Sequence, residues 1–514
     1  MLIALDQLPD DVDALKSLVA DQVARNKQLQ SKVVTLQEQL NLALARRYAA
    51  SSEKLSPDQI RMFDEAEVDA EAQAVMPSED DTITVPEHTR RKRGRKKLPE
   101  ALPRVDVIHE LADAERTCPH DGKPLTEIGE VTSEQLDIVP AKIQVIQHIR
   151  KQYACSCGHC IKTAALPPQP IPKSLASPGL LAHITVSKYQ DALLLYRQET
   201  ILKRIGMELP RATLANWMIQ TSSLIQPLIN LLRDQLLAYD ILQMDETPVQ
   251  VLKEPGKTAQ SKSYLWLQRG GPPDQPVVLY DYDPGRGAAV PKRLLDGFKG
   301  YLQTDGYDGY NAAVAVNGLT HVGCMAHARR KFSEAVKAQG KKKQRGNAHR
   351  KLALIQKLYR IEKQSRKLTP EERHAHRQQH ARPILDELRA WLDKALLQVP
   401  PTSATGKALN YLNNEWDKLI RYLDDGRLEI DNNAAENAIR PFVVGRKNWL
   451  FSTSVKGVKA SANLYSLIET VKANGLEPYA YLRHLFTELP KVETVEAIEA
   501  LLPGNLSADQ IRLS

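Results

Sequence analysis

A seven-residue repeat of apolar positions runs from the N-terminal region to about residue 43. Gln22 and Asn26 interrupt it, and a polar residue at a seam position fixes register and oligomeric state at some cost in stability. The repeat predicts a coiled coil over residues 8–48 that joins copies of the chain; an amphipathic helix folded back on its own chain is the alternative. The seam positions are Leu8, Leu15, Leu29 and Leu36 on one side and Val12, Val19, Val33 and Leu40 on the other.

Helical periodicity dominates residues 171–235, after a proline-rich stretch over 167–178. A helical segment that ends near Gly206 and a second that begins near Thr213 predict a helix-turn-helix, whose second helix enters the major groove of DNA in proteins that use this motif. An ordinary turn in a helical bundle is the alternative. The candidate DNA contacts at the start of the second helix are Arg211, Thr213 and Asn216.

The apolar pattern then changes to short β-rich runs at 241–245, 263–267, 276–280 and 300–305, with a helix-like segment over 287–298 before the last run. These elements predict a mixed sheet with covering helices over 236–475. A polar helical stretch over about 330–425 interrupts this sheet domain, and ten Lys or Arg against one acid lie between Arg329 and Lys351. A helical tail over 476–514 follows.

The charge of the chain is unevenly distributed. The 514 residues include 70 Lys and Arg against 62 Asp and Glu, and the net charge of +8 favours a polyanionic partner. Within the linker over 49–100, residues 53–81 hold ten acids against two basic residues, a composition typical of a flexible segment. Residues 90–97 are basic except Gly94 and predict an arm that contacts DNA phosphates in a narrow minor groove; a solvated linker is the alternative. The candidate contacts in this arm are Arg91, Lys92, Arg93, Arg95, Lys96 and Lys97.

Four of the five cysteines lie between residues 118 and 160. Two cysteine-bearing turns separated by β-branched stretches predict a small zinc-finger-like module over 101–170, because thiolates and imidazoles suit Zn²⁺. A cysteine-bearing turn without a metal is the alternative. A subset of Cys118, His120, Cys155, Cys157, His159 and Cys160 would bind the structural Zn²⁺. The odd number of cysteines, the acidic N-terminal region and the absence of an apolar run of 18 residues predict a soluble cytoplasmic protein.

Three acids are candidates for a hard-cation site. Asp245 and Asp305 each stand at the end of a predicted strand, and Glu436 lies in a predicted helix that Asp431 or Asn432 would cap and Pro441 would end. Carboxylates in such a set suit Mg²⁺. Turn-forming aspartates and an ordinary helical pair of Glu436 with Arg440 are the alternative.

Several long motifs, in order along the chain, resemble the insertion-sequence-66 family of DDE transposases. They are Met244-Asp245-Glu246-Thr247-Pro248, Gln303-Thr304-Asp305-Gly306-Tyr307, Gly323-Cys324-Met325-Ala326-His327, Asp431-Asn432-Asn433-Ala434-Ala435-Glu436, and Gly445-Arg446-Lys447-Asn448-Trp449-Leu450-Phe451. The resemblance implies a multidomain α/β protein: a ribonuclease H-like mixed-sheet catalytic core with a helical insertion, preceded by a coiled coil, a zinc-finger-like module and a helix-turn-helix region.

The resemblance also implies a function. Asp245, Asp305 and Glu436 would form the catalytic triad and bind two Mg²⁺ or Mn²⁺ ions that support cleavage at the transposon end and transfer of the freed 3′-hydroxyl to target DNA. The partners would be double-stranded DNA (terminal inverted repeats and target), further copies of the chain and companion proteins from the same element, without a membrane and in a nucleoid-associated location. Further DNA contacts would be Arg329, Arg330, Lys331, Arg446, Lys447 and Trp449.

Some alternatives stay open at the level of sequence. Cys324 and His327 match a Cys-x2-His motif of such transposases, and a packing role for this pair is favoured over a zinc site. Trp449 stacks on an unpaired base or belongs to the core beside Leu450 and Phe451. For the whole chain, the rival functions are a catalytically inactive DNA-binding regulator and a structure-selective nuclease of the same fold.

Overall fold

The computed structural model describes residues 11–47, 143–154, 161–338 and 347–511. The chain divides into two compact units, one of residues 75–167 and one of the remainder. Leu8, the acidic linker, the basic arm over 90–97 and all six candidate zinc ligands lie outside the described residues.

The described part of the 75–167 unit is an antiparallel hairpin. Its strands are β1 (Gln152–Ala154) and β2 (Ile161–Thr163), and Gln152 pairs with Thr163 at the open end. Beyond this pair, Arg150 Nε donates to the Ala164 carbonyl at 2.5 Å. The hairpin therefore brackets the segment that carries three of the predicted cysteine ligands.

A 36-residue helix, α1 (Val12–Arg47), begins the other unit. Near its C-terminal end, Asn41 Nδ2 donates to the Ala338 carbonyl at 2.9 Å, and Glu38 Oε2 accepts from the Ala404 amide at 2.8 Å. Val12 and Leu36 of the predicted seam are 62% and 59% exposed. The helix is thus fastened at one end to its own chain, while the seam of the predicted coiled coil faces solvent.

Four helices precede the sheet: α2 (Pro178–Tyr189), α3 (Leu195–Arg204), α4 (Arg211–Leu224) and α5 (Gln226–Ala238). Ser177 caps α2 by accepting from the Leu180 amide. Gly206 has φ +84° in the turn between α3 and α4, a conformation that glycine adopts without steric cost. Because Pro210 fixes the entry to the next helix, α4 begins at Arg211, two residues before the predicted start.

The six-stranded sheet has the order β5-β4-β3-β6-β7, with β8 pairing β3 off this path. The strands β3, β4 and β5 are antiparallel, whereas β6 and β8 are parallel to β3 and β7 is parallel to β6. Their bounds are β3 (Ile241–Lys253), β4 (Lys262–Gly270), β5 (Val277–Asp283), β6 (Tyr301–Gln303), β7 (Thr320–Val322) and β8 (Ser452–Ser454).

Helices cover both faces of the sheet. On one face lies α14 (Asn433–Trp449), whose Ala438 carbonyl accepts from the Tyr280 hydroxyl, and α15 (Val455–Ala473) runs along the edge of β5, where Ser466 Oγ accepts from the Tyr280 amide. On the other lies α6 (Ala289–Leu294), whose Leu294 carbonyl accepts from Gln268. A short helix, α7 (Asn311–Asn317), connects β6 to β7. The apolar side chains of these layers form one continuous core with α2, α4 and α5.

A helical insertion with its own core separates β7 from α14. It contains α8 (Met325–Ala338), α9 (Asn347–Gln364), α10 (Pro370–His380), α11 (Arg382–Leu396), α12 (Ala404–Asn414) and α13 (Trp416–Ile420). Within it Arg377 is fully buried; it donates to Glu362 at 2.7 and 2.9 Å and to the carbonyls of Tyr422, Asp425 and Leu428.

The C-terminal region contains α16 (Pro478–Glu488) and α17 (Val495–Glu499). Tyr481, Leu482 and Phe486 of α16 are fully buried in the same core as the sheet, so this segment packs into the sheet domain. Among the described residues, no helix has both the length and the apolar character needed to cross a membrane.

Three expectations about individual elements are wrong. Asp245 lies inside β3, the fifth residue of a 13-residue strand, since pairing with β4 continues past it. Pro441 lies inside α14 and does not end it; the Tyr280 hydroxyl bonds to the Ala438 carbonyl three residues before the proline. The helix expected over 287–298 is shorter, because α6 ends at Leu294.

Candidate active site

Three separate elements carry the candidate acids. Parallel pairing of β3 with β6 covers only 241–243 and pairing with β8 begins at Val251, so the edge of β3 is open beside Asp245. Asp305 follows the end of β6 by two residues, and Glu436 lies in the first turn of α14. The open edge therefore makes room for carboxylates from neighbouring elements.

Electrostatics connect the acids to one another. Burial raises the pKa of Asp245 well above its usual range, and the negative charges of Glu246, Glu436 and Asp305 raise it further. Like charges close together disfavour ionisation, so Glu436 and Asp305 lie near Asp245, whereas Glu246 follows Asp245 in β3 and points to the opposite face of the sheet, because side chains alternate along a strand. A divalent cation would relieve the repulsion, and carboxylate oxygens are the ligands that Mg²⁺ and Mn²⁺ take. The oxygen donors suit such an ion chemically, but within the described residues the ligand atoms of Asp245, Asp305 and Glu436 do not all lie within 4.8 Å of one another.

The loop after β6 holds the carboxylate of Asp305. Asp305 Oδ1 accepts from the Tyr307 amide at 3.0 Å, an Asx-turn contact that fixes its rotamer. One residue earlier, Thr304 Oγ1 lies 2.8 Å from His321 Nε2 on β7. These contacts hold the Asp305 carboxylate in place just after the end of β6.

The N-terminus of α14 is fastened directly to β3 beside Asp245. Asn432 Nδ2 donates to the Met244 carbonyl at 2.8 Å, and the Asn432 amide donates to Cys324 Sγ at 3.3 Å. Asp431 Oδ1 accepts from the Asn433 amide at 3.1 Å, and burial raises the pKa of Asp431 to about 6. Asn432 thus sets the distance between the strand that carries Asp245 and the helix that carries Glu436.

Cys324 and His327 lie beside Glu436, and the ligand atoms of these three residues are within 4.8 Å of one another. Burial raises the pKa of the Cys324 thiol well above its usual range and lowers the pKa of His327 to about 4. His327 Nδ1 is 3.9 Å from Glu436 Oε1. A buried neutral thiol that accepts a backbone hydrogen bond supports the packing role expected for the Cys-x2-His motif, although the set is one that could hold a metal ion.

The end of α14 carries further predicted residues. Arg446 Nη1 donates to Thr247 Oγ1 at 3.0 Å and to the Pro248 carbonyl, so it bridges the helix to the open edge of β3. Lys447 is exposed. Trp449 is half-buried at the margin of the core, edge-on against Phe442 with ring centroids 5.2 Å apart, whereas its neighbours Leu450 and Phe451 are exposed.

The remaining predicted DNA contacts within the described residues differ in exposure. Arg211 and Asn216 are exposed at the start of α4, and Thr213 beside them is half-buried. On α8, Lys331 is exposed and Arg330 is half-buried. Arg329 is 8% exposed, with its guanidinium over the ring of Tyr359, so burial argues against the expected phosphate contact.

Sequence reasoning did not assign a role to Glu246 or Arg286. Glu246 follows Asp245 in β3, and its side chain is 2% exposed. Arg286 Nη2 lies 2.5 Å from Glu246 Oε1, and the Tyr310 hydroxyl donates to Glu246 Oε2 at 2.6 Å. The only signal in the sequence is an arginine between Gly285 and Gly287 after a predicted strand.

Comparisons with known proteins cover most of the chain. A model described as the transposase IS66 family matches residues 173–460, and one for the zinc-finger binding domain of transposase IS66 matches 115–158. The IS66 C-terminal element matches 466–503, and a model described as transposase C of IS166 homeodomain matches 35–107.

Curated relatives come from Sinorhizobium fredii. The protein named "Uncharacterized protein y4qI" is 32% identical over 549 aligned positions that cover 99% of this chain and 100% of the relative. "Uncharacterized protein y4jD" is 35% identical over 433 positions that cover 80% of this chain and 82% of the relative.

Proposed function

The chain belongs to the IS66 family of transposases, and on this premise we propose that it binds the terminal inverted repeats of an insertion sequence and catalyses cleavage and strand transfer of DNA. The observation that carries the proposal is the bond from Asn432 Nδ2 to the Met244 carbonyl, which fastens the helix that carries Glu436 to the strand that carries Asp245; the charges of Glu436 and Asp305 raise the pKa of Asp245. A regulator that only binds DNA gains nothing from a buried set of like charges.

The sheet supports a ribonuclease H-like core. Its order β5-β4-β3-β6-β7 has three antiparallel strands followed by two parallel ones. We infer that the helical insertion between β7 and α14 is part of the catalytic core. The chain returns from the insertion to β3 through α14, whose first turn carries Glu436 and whose N-terminus Asn432 fastens to β3.

Asp245, Asp305 and Glu436 would hold Mg²⁺ or Mn²⁺. When bound, such ions lower the pKa of water and stabilise the charge that develops on the attacking and leaving oxygens. The chain's own contribution is to position the ligands: Asn432 ties α14 to β3, and the Tyr307 amide orients Asp305. A covalent protein nucleophile is not required, and the buried Cys324 thiol has a raised pKa that is unsuited to that role.

DNA binding is assigned to several basic and polar surfaces. We propose that Arg211, Thr213 and Asn216 of α4 contact DNA as the second helix of a helix-turn-helix, and that Arg330, Lys331, Arg446 and Lys447 neutralise phosphates nearer the acids. The arm over 91–97 would add phosphate contacts. Trp449 would support the end of α14 from the core.

Two further parts of the proposal concern zinc and assembly. The zinc-finger match over 115–158 supports a structural Zn²⁺ held by a subset of Cys118, His120, Cys155, Cys157 and Cys160. The exposed seam of α1 supports pairing of two copies. Companion proteins from the same element would join the complex.

The test is an assay with purified protein, Mg²⁺ and linear DNA that carries the element's ends, scored for nicked and joined product. We expect both products from the wild type and neither from Asp305→Asn, which retains end binding. Asp308→Asn is the matched control, because Asp308 is exposed and its carboxylate accepts only a surface bond from Asn311. Binding without cleavage by the wild type, also with the companion proteins present, would favour a regulator, and cleavage of branched DNA without joining would favour a nuclease.

A further inference from the structure

An arginine lies where the chain segments of two candidate acids meet. Arg286 is in the loop between β5 and α6, and its Nε and Nη2 lie 2.9 and 2.5 Å from Glu246 Oε1. Its guanidinium stacks on the ring of Tyr307 at 3.9 Å from the centroid, and the Tyr307 hydroxyl donates to the Arg286 carbonyl at 2.7 Å. Glu246 follows Asp245 directly, and Tyr307 is two residues after Asp305.

The supports of Arg286 are buried, whereas the arginine itself is accessible. The side chain of Glu246 is 2% exposed, and its second oxygen accepts from Tyr310, a residue with no exposed surface. The side chain of Arg286 is 42% exposed. The rotamer of a long cation is therefore fixed by a carboxylate, a ring and a backbone contact, while part of the guanidinium stays open to solvent.

The hydrogen-bonding capacity of Arg286 is only partly used. A guanidinium has five N–H donors in a planar fork, and within the described residues the bonds to protein engage Nε and Nη2. A fork of this kind matches the oxygens of a phosphate. Stacking on Tyr307 leaves the edge of the fork available, since the contact with the ring uses its face.

Charge balance explains why a cation is needed at this place. Asp245 is close enough to Glu246, Asp305 and Glu436, and Glu246 to Asp305, for their charges to interact, and a DNA phosphate would add another negative charge to the same region. Metal ions would neutralise the three ligand acids, but Glu246 would retain its own charge. Arg286 offsets Glu246 and still offers free donors toward an incoming strand.

We propose that Arg286 binds a backbone phosphate of the DNA end beside the acid site and so positions the strand that is cut; the inference rests on the proposed function. The rival explanation is that Arg286 only neutralises the buried Glu246. The two differ in a measurable way, because a neutralising role disappears when Glu246 loses its charge, whereas a phosphate contact does not.

The experiment measures the affinity of the protein for end DNA in which one phosphate at a time, near the cleavage point, is replaced by a neutral methylphosphonate. Ca²⁺ replaces Mg²⁺, so that the measurement does not depend on cleavage. For the wild type, one substitution is expected to weaken binding about tenfold, the scale of a lost charge-assisted hydrogen bond. We expect Arg286→Ala to bind unmodified DNA about tenfold more weakly than the wild type does. Replacing the phosphate that matters for the wild type should then weaken binding by Arg286→Ala no further.

Two variants serve as controls. Arg293→Ala removes a neighbouring cation that pairs with Asp281 and Asp283, and it should keep the wild-type response to every methylphosphonate. The double variant Glu246→Gln with Arg286→Ala should remain as weak as Arg286→Ala. Recovery of wild-type affinity in the double variant, or an unchanged response of Arg286→Ala at every phosphate, would overturn the proposal. Failure of the wild type to bind end DNA would instead overturn the proposed function, and the inference with it.

Discussion

At the scale of single residues, the candidate site buries carboxylates that would be more stable as charged groups in water. Asp245 and Asp431 are carboxylates with raised pKa values, each mainly because of burial. Such groups lower the stability of the metal-free fold at neutral pH, because folding must keep a charge away from water. Residues that serve stability alone would not be expected to carry this cost in one region of the protein.

Asp431 allows a test of this point by pH. The pKa of Asp431 is about 6 in the folded protein, which is above the pKa of an unfolded aspartate. Protonation of Asp431 therefore stabilises the fold, fully below about pH 4. This stabilisation is lost as the pH rises through 6. The full effect is about 3 kcal/mol at 1.36 kcal/mol per pKa unit. We expect the melting temperature of the metal-free protein to fall between pH 4.5 and 7 by a component that Asp431→Asn lacks. Equal pH dependence in both proteins would contradict the burial argument.

The choice of the candidate acids rests on sequence motifs and stays a prediction, whereas the surroundings of these acids could not be predicted from the sequence. Motifs point to Asp245, Asp305 and Glu436, because each stands among recognisable neighbours. Arg286 escapes such reasoning, since its partners Glu246 and Tyr307 are brought to it only by the fold. A contact between distant parts of the chain leaves no local pattern.

At the scale of elements, the open edge of β3 explains why the strand is longer than the sequence pattern predicts. Pro248 lies inside this strand, although proline cannot donate to a ladder. The proline is tolerated because it lies between the stretch of β3 that pairs with β6 and the stretch that pairs with β8. Arg446 bonds to the Pro248 carbonyl on this open edge. The strand is therefore longer than the apolar run over 241–245.

The turn from α14 to β8 is strained at Leu450. This residue has φ +61° and ψ −48°, and the Phe451 amide donates to the Trp449 carbonyl at 2.7 Å, which is the geometry of a γ-turn that is rare for non-glycine residues. Leu450 is also 63% exposed, so little packing opposes a change. We expect Leu450→Gly to stabilise the fold by up to about 1 kcal/mol and Leu450→Val to destabilise it by a similar amount, measured by denaturant unfolding. The opposite order would contradict the strain.

The buried pair of Arg377 and Glu362 holds the insertion together. Arg377 is fully buried, and its donors also satisfy carbonyls near the end of the insertion. Arg377→Ala would remove two hydrogen bonds to the Glu362 carboxylate, which would keep only Arg373 as a cationic partner, and would leave three carbonyls without this donor, at a cost of about 3 kcal/mol. Limited proteolysis of the 325–430 region and thermal unfolding should both report this loss. Arg389→Ala is the control, because its pair with Asp393 is at the surface and contributes little.

At the scale of the whole molecule, the sequence predicts the architecture of the core but not the contacts of α1 with it. The core was expected as a mixed sheet with a helical insertion, and both are present, because periods of two and 3.6 residues mark strands and helices over long stretches. The contacts of α1 with Ala338 and Ala404 could not be read from its heptads, since these contacts use polar atoms outside the seam.

Pairing through α1 remains a prediction with a direct test. Leu29 and Leu36 are 53% and 59% exposed in the single chain. Charges at seam positions disfavour a coiled coil, because pairing would bury them. We expect Leu29→Lys with Leu36→Lys to lower the molar mass in sedimentation equilibrium while the melting temperature of the core is kept. An unchanged molar mass would assign self-association to another surface.

The central claim is that Asp245, Asp305 and Glu436 bind the metal ions that cut and join DNA, and a change of ligand chemistry tests it most directly. Thiolates bind Mg²⁺ poorly but accept softer ions such as Mn²⁺. The measurement is the rate at which Asp305→Cys cleaves end DNA in each metal, with Asp308→Cys as the control. We predict that Asp305→Cys is inactive in Mg²⁺ and regains cleavage in Mn²⁺. Activity in Mg²⁺ close to that of the wild type would contradict the account.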